Sequence, residues 1–173
     1  MRASVRKCAI EKQIMTADSR QASIQPDVQQ TLERAHAICV ANGTRLTEKR
    51  RRVLRVVLES AEPLSAYQIA DQYRDQNGET LSVMSVYRML RFLMESDLVH
   101  RLETTNQYLP CSHITCHHQH EVPQFLICDS CRTVNEVGIR REILQELRAN
   151  IEQTGFSMAE QQLELHGICR ACQ

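Results

Sequence analysis

No apolar run in these 173 residues approaches the ~20 that a membrane-spanning helix needs. The first residues also lack the apolar core of about 7–15 residues that marks a secretory signal. Both absences point to a cytoplasmic protein. Aromatic side chains make up only 4%, tryptophan is missing, and the five glycines are scattered rather than gathered into a phosphate-cradling loop. No nucleophile stands beside a base and no paired-carboxylate site is apparent. The one enzymatic reading left is a zinc hydrolase using linker histidines with Glu121 or Glu136 as base, and the expectation is a protein that is not an enzyme.

Excess charge is missing too, since the formal net charge is zero. Yet residues 1 to 103 hold 16 Lys/Arg against 13 Asp/Glu, and residues 104 to 173 hold 5 against 8. A basic first half is the half that would face nucleic acid, with ordinary scatter as the competing explanation. Against these scarcities stand eight cysteines, which in a reducing compartment serve as metal ligands or redox groups more often than as disulfides.

Residues 1–27 are mixed and polar without a sustained period and read as a flexible N-terminal extension, in which Met15 offers a second start and Cys8 receives no role. From 28 the period is helical. "VQQTLERAHAICVANG" ends on a capping Gly43. "TEKRRRVLRVVLES" follows from Thr47, with Val53, Leu54, Val57 and Leu58 on one face, and stops at Pro63. Ser65 caps "SAYQIADQYRDQNG", and Ser82 caps "SVMSVYRMLRFLMESD". In the last of these the apolar stripe leaves Ser85 and Arg88 together on another face. "LVHRLE" and "QYLP", joined by "TTN", form a hairpin. Helices followed by such a hairpin make residues 28–110 a winged-helix DNA-binding domain, a plain helical domain being the alternative. Residues 111–123 read as a metal-binding hinge. Residues 124–173 follow the order β-β-α-β and read as a small α/β dimerisation domain, the whole being α+β. So small a domain has little core of its own, and a metal staple and a partner subunit are both expected.

Two motifs carry chemistry. Cys128 and Cys131, then Cys169 and Cys172, form two CxxC knuckles. Paired knuckles complete a tetrahedral S4 shell for structural zinc and leave no position for a substrate; a redox switch is the other use of the same thiols. Near the domain junction lie His100, Cys111, Cys116, His117, His118, His120 and Glu136, a mixed N/S/O set that suits zinc better than iron. Between Arg45 and Arg55 stand six Lys/Arg and one acid, the density that phosphate contacts need. Ser85 and Arg88 occupy the place from which a recognition helix reads bases, and Tyr67 is either core or a base-stacking contact.

The segments "LTEKRRRVLRVVLE", "SAYQIAD", "SVYRMLRFL", "LVHRLE", "FLICDSCRTVNEV" and "LELHGICRAC", in that order, resemble the ferric uptake regulator family and within it the zinc uptake regulator branch. The likeness runs from about residue 37 onward and leaves the extension uncovered. It implies a homodimeric bacterial repressor that binds palindromic double-stranded operator DNA when zinc fills a regulatory site, with two zinc ions per protomer and neither a membrane nor a small-molecule substrate involved. By position it implies structural zinc at Cys128, Cys131, Cys169 and Cys172. It implies regulatory zinc at His100, Cys111, a linker histidine (His120, with His118 as the alternative) and Glu136. DNA contacts are implied at Tyr67, Tyr87 and Arg88, helped by the basic second helix with Lys49, Arg50, Arg51 and Arg52. Cys116 and His117 could form a further weak site. Arg132 stands where the family usually has glycine and should strain the knuckle. An iron- or peroxide-sensing relative, against which Cys111 argues, and a constitutive zinc-stapled DNA-binding protein are the alternatives.

Overall fold

The computed structural model describes residues 27–115, 122–159 and 162–173; the expected extension, apart from Asp27, lies outside them. The first helix, α1 (Val28–Ala41), is opened by Asp27, whose carboxylate accepts the Gln29 amide at 3.0 Å. Gly43 follows its end at φ +67°, where a side chain would be strained. Helix α2 spans Glu48–Glu59, α3 Ala66–Asn77 and α4 Val83–Glu95. Ser65 and Gln68 close a reciprocal capping box at the head of α3, and Ser82 accepts the Ser85 amide at the head of α4. Thr47 precedes α2 without a side-chain bond. In α2 the buried residues are Val53, Leu54, Val56 and Val57, with Leu58 only partly covered. The buried arc is therefore wider than the expected stripe and shifted from it, because α2 packs against α1, α3 and α4 at once.

Strands β1 (Val99–Leu102) and β2 (Gln107–Pro110) pair antiparallel, from Val99 opposite Pro110 to Leu102 opposite Gln107. Leu64 adds a one-residue bridge, exchanging backbone hydrogen bonds with Tyr108 at 2.9 and 2.7 Å. One continuous core fills this half, with Leu32, Leu54, Ile69, Leu90, Leu93 and Leu98 fully enclosed. Cys111 and Ile114, from the start of the expected hinge, also belong to it.

The second half is a three-stranded sheet ordered β4-β3-β5, formed by β3 (Val122–Cys128), β4 (Val134–Ile139) and β5 (Glu164–Gly167). β3 runs antiparallel to β4 and parallel to β5. Val122 and Pro123, expected in the hinge, instead belong to β3, where they pair with Ile139 and Gly138. Pro123 is tolerated because β5 pairs only from Phe125 onward, so a missing N–H on that side breaks no ladder. Helix α5 (Arg141–Glu152) buries no residue fully. Among the described residues no helix is long and apolar enough to cross a membrane.

Candidate metal centres and nucleic-acid interface

The turn after β3 and the segment after β5 bring the thiols of Cys128, Cys131, Cys169 and Cys172 within 4.8 Å of one another. Cys131 Sγ and Cys169 Sγ are 3.7 Å apart, and the Cys169 amide donates to Cys128 Sγ at 3.4 Å. The amides of Cys131 and Cys169 hold the Cys128 thiol down to about 6. Thr133 lowers the Cys131 thiol, while Cys172, though bonded to Ser130, is pushed up to about 11 by its neighbouring sulfurs. The cluster thus holds the Cys128 thiol toward the thiolate, the form that ligates a metal. Four sulfurs from two turns fit a tetrahedral ion and offer no open position. Arg132, at the end of the first knuckle, sits at φ +61° while its amide donates to Cys128 O at 2.9 Å. A left-handed residue is what this turn requires, and arginine occupies it with the strain the family comparison implied.

A second donor set gathers at the junction of the two halves: His100 from β1, Cys111 just after β2 and Glu136 from β4, their donor atoms also within 4.8 Å of one another. His100 Nε2 lies 3.3 Å from Glu136 Oε1, with only 15% and 3% of the two side chains exposed. Nε2 is nonetheless a buried nitrogen without a hydrogen-bond partner among the described residues, an arrangement a metal ion would satisfy. The Ser112 amide donates to Glu136 Oε2 at 2.8 Å. Burial pushes the Glu136 carboxyl up, but His100 and Ser112 together outweigh it and hold the group at about 2. Packing of the His100 ring against Phe125, centroids 5.4 Å apart, fixes the imidazole from the sheet side. Cys116, His117, His118, His120 and Glu121 lie outside the described residues.

The expected nucleic-acid face divides. Tyr67 at the start of α3 is exposed and Tyr87 is half-buried against the core. Arg88 is exposed on α4 and makes no ion pair among the described residues, while Ser85 bonds its own helix cap through Ser82 at 2.9 Å. With Thr47, Lys49, Arg50 and Met89, these α4 residues line one groove. The basic run is largely engaged within the chain. Lys49 pairs with Glu79 at 2.5 Å and Arg52 with Glu48 at 3.1 Å, whereas Arg50 stacks over Phe92 at 3.6 Å and donates to Arg45 O. Arg51 lies beside Leu32, Glu33 and His36 of α1. Met84, on the first turn of α4 and outside its apolar stripe, is 64% exposed.

Sequence reasoning missed a set of bonds between the halves. Glu164, at the start of β5, accepts the Glu103 amide at 2.5 Å, the Thr104 amide at 3.1 Å and the Thr104 hydroxyl. Gln162 donates to Arg101 O at 2.9 Å. Leu102 and Leu109 of the hairpin form a small core with Phe125 and Ile127 of β3. Apolar side chains without cover concentrate in the second half: Ile143 and Leu147 on α5, Leu126 and Leu165 on the sheet, and Phe156 and Ile168.

The ferric uptake regulator family model matches residues 41–166. The zinc uptake regulation protein of Escherichia coli (strain K12) is 35% identical over 147 residues, 83% of this chain and 82% of that protein. The ferric uptake regulation protein of Synechococcus elongatus is 29% identical over 135 residues, with 76% and 87% covered. A solved zinc uptake regulator in complex with zinc and DNA superposes with a TM-score of 0.71 at 30% identity, covering 84% of this chain and 95% of that one. Holo XcZur gives 0.68 at 35% identity, with 83% and 96% covered.

Proposed function

The chain belongs to the ferric uptake regulator family, and from that premise we propose that it is a zinc-responsive transcriptional repressor, a homodimer that binds palindromic operator DNA when a regulatory zinc site at the domain junction is filled and so controls zinc uptake genes. It is not an enzyme. Its place of work is the cytoplasm. The domains we assign are a winged helix over 28–110, a hinge from 111 and a dimerisation domain to 173.

The carrying observation is the split origin of His100, Cys111 and Glu136. Two of these donors come from the wing and its exit and one from the sheet, around a buried imidazole nitrogen that lacks a hydrogen bond among the described residues. We assign the regulatory zinc to them together with His120, or His118 in its place, and the structural zinc to Cys128, Cys131, Cys169 and Cys172, giving two ions per protomer. The thiol of Cys111 favours zinc over the iron of an N/O set.

Zinc, when bound, supplies a divalent charge and a demand for four tetrahedral donors. A donor set shared between wing and sheet ties the attitude of each winged helix to the dimer body. That attitude decides operator binding, because half-sites one helical turn or more apart accept only matching recognition helices. The exposed Arg88, Tyr67 and the half-buried Tyr87 are assigned to base and backbone contacts, with Ser85 beside them. Lys49, Arg50, Arg51 and Arg52 supply positive potential toward phosphate. A zinc–operator coupling of ~1–3 kcal/mol corresponds to ~5–150-fold tighter operator binding, and linkage makes operator DNA raise zinc affinity by the same factor. His100 must be neutral and Cys111 a thiolate to ligate, so acid weakens zinc binding.

The test is zinc stoichiometry per protomer during stepwise chelation, with operator binding followed in the same samples at fixed salt. We expect one zinc to leave readily and take operator binding with it while a second stays. A single tight zinc, with operator binding indifferent to the chelator, would leave only a constitutive zinc-stapled DNA-binding protein.

A further inference from the structure

The wing hairpin is fastened to the sheet from its base to its tip. At its base stand His100, Cys111 and Glu136. Toward its tip, the backbone amides of Glu103 and Thr104 and the Thr104 hydroxyl all donate to the one carboxylate of Glu164. Consecutive amides converging on an anion make a small nest, and a charged acceptor makes each bond stronger than its neutral counterpart. Gln162, two residues before it, donates to Arg101 O, and Leu102, Leu109, Phe125 and Ile127 close apolar contacts beneath. At about 3.3 Å per strand residue, the base and tip attachments are roughly 10–13 Å apart along β1 and its exit. A single attachment is a pivot about which the winged helix can swing. A second attachment at that distance removes the swing.

We propose that Glu164 is a positioning residue for operator recognition: its carboxylate clasps the wing turn to β5 and, without touching metal or DNA, sets the attitude that the hinge donors alone leave free to rotate. The clasp rests on the repressor reading for its purpose but not for its existence. It also runs against simple electrostatics, which gives the test its sign. Removing a negative charge from a DNA-binding protein should tighten DNA binding, whereas removing the clasp should loosen operator binding.

The experiment compares the native full-length protein with Glu164→Ala, Thr104→Val and the double variant. At saturating zinc and fixed salt we expect Glu164→Ala to bind operator about 10-fold more weakly, with binding to random-sequence DNA unchanged or slightly tighter and zinc content unchanged. The double variant should be no weaker than Glu164→Ala alone, because both changes remove one contact. Hydrogen exchange at Glu103 and Thr104 should be slow in the native protein and at least 10-fold faster in Glu164→Ala. Native operator affinity in Glu164→Ala, or an equal loss on random DNA, would overturn the proposal. So would rapid exchange of both amides in the native protein. If the native protein ignores zinc, the repressor reading fails, while the exchange rates still decide whether the clasp exists.

Discussion

The two halves of this chain reach stability by different means. The winged-helix half encloses four helices and a hairpin around one apolar core, to which even Cys111 and Ile114 of the linker contribute. The second half has a three-stranded sheet, a helix that buries nothing fully, and uncovered Ile143, Leu147, Phe156 and Leu165. A self-sufficient core leaves its surface free for a ligand as large as DNA. A half that lacks one must be completed by metal and by a second subunit, which makes it the part of the molecule able to respond to either.

The contrast should break most sharply at the knuckles. Structural zinc contributes ~10–16 kcal/mol to small metal-folded peptides, so Cys131→Ser should abolish the protected amides of β3 and β5 and the dimer with them. The helices α1 to α4 should keep their protection, as hydrogen exchange would show. The mirror variant, Leu90→Ala in the winged-helix core, should cost ~2–5 kcal/mol in denaturant unfolding while the four-thiol zinc is retained. Leu147→Glu places a charge on the uncovered stripe of α5. It should weaken dimerisation at least 10-fold, about 1.4 kcal/mol, as read by analytical ultracentrifugation, and leave the winged helix unaffected. Arg132→Gly relieves a left-handed arginine and should strengthen the second half by about 1 kcal/mol, visible as slower zinc loss to a chelator. The smallest effect is with pH. Burial raises the Glu164 carboxyl, but Thr104 and the Glu103 and Thr104 amides lower it further, to a net value below the ordinary carboxylate range. A depressed folded-state value means the bond contributes fully above that range and is lost as pH falls through the folded value. Acid should therefore free the wing turn while the winged-helix core stays protected, and Glu164→Ala should remove that pH dependence.

The first half was the more legible from sequence, and for physical reasons. Ser65, Ser82, Gly43 and Gly78 act on backbone within a few residues, so the helix ends followed from local chemistry. The error in α2, Val56 buried rather than Leu58, arose because one stripe was assumed where three helices crowd one another. The bridge from Leu64 to Tyr108 is a single residue pair with no period to read. In the second half the β-β-α-β order was legible, but not which four residues of the last strand, Glu164–Gly167, pair with Phe125–Cys128 of β3. The four thiols were evident from spacing alone. Residue type alone could only collect His100, Cys111 and Glu136 with their neighbours near the junction; the family resemblance named these three, and the fold brings their donor atoms together. The bonds from Glu103 and Thr104 to Glu164 span 61 and 60 residues and leave no local signature.

The parallel pairing of β3 with β5 also sets an order of events during synthesis. Cys128 and its neighbour Cys169 are 41 residues apart, and at about 5–20 residues per second several seconds separate the emergence of the two knuckles from the ribosome. The winged helix, whose contacts are earlier in the chain, can fold in that interval. Its wing turn must wait for β5 to arrive, because Glu164 lies on that strand. A nascent chain therefore carries a folded winged helix before the bonds from its wing turn to Glu164 can form.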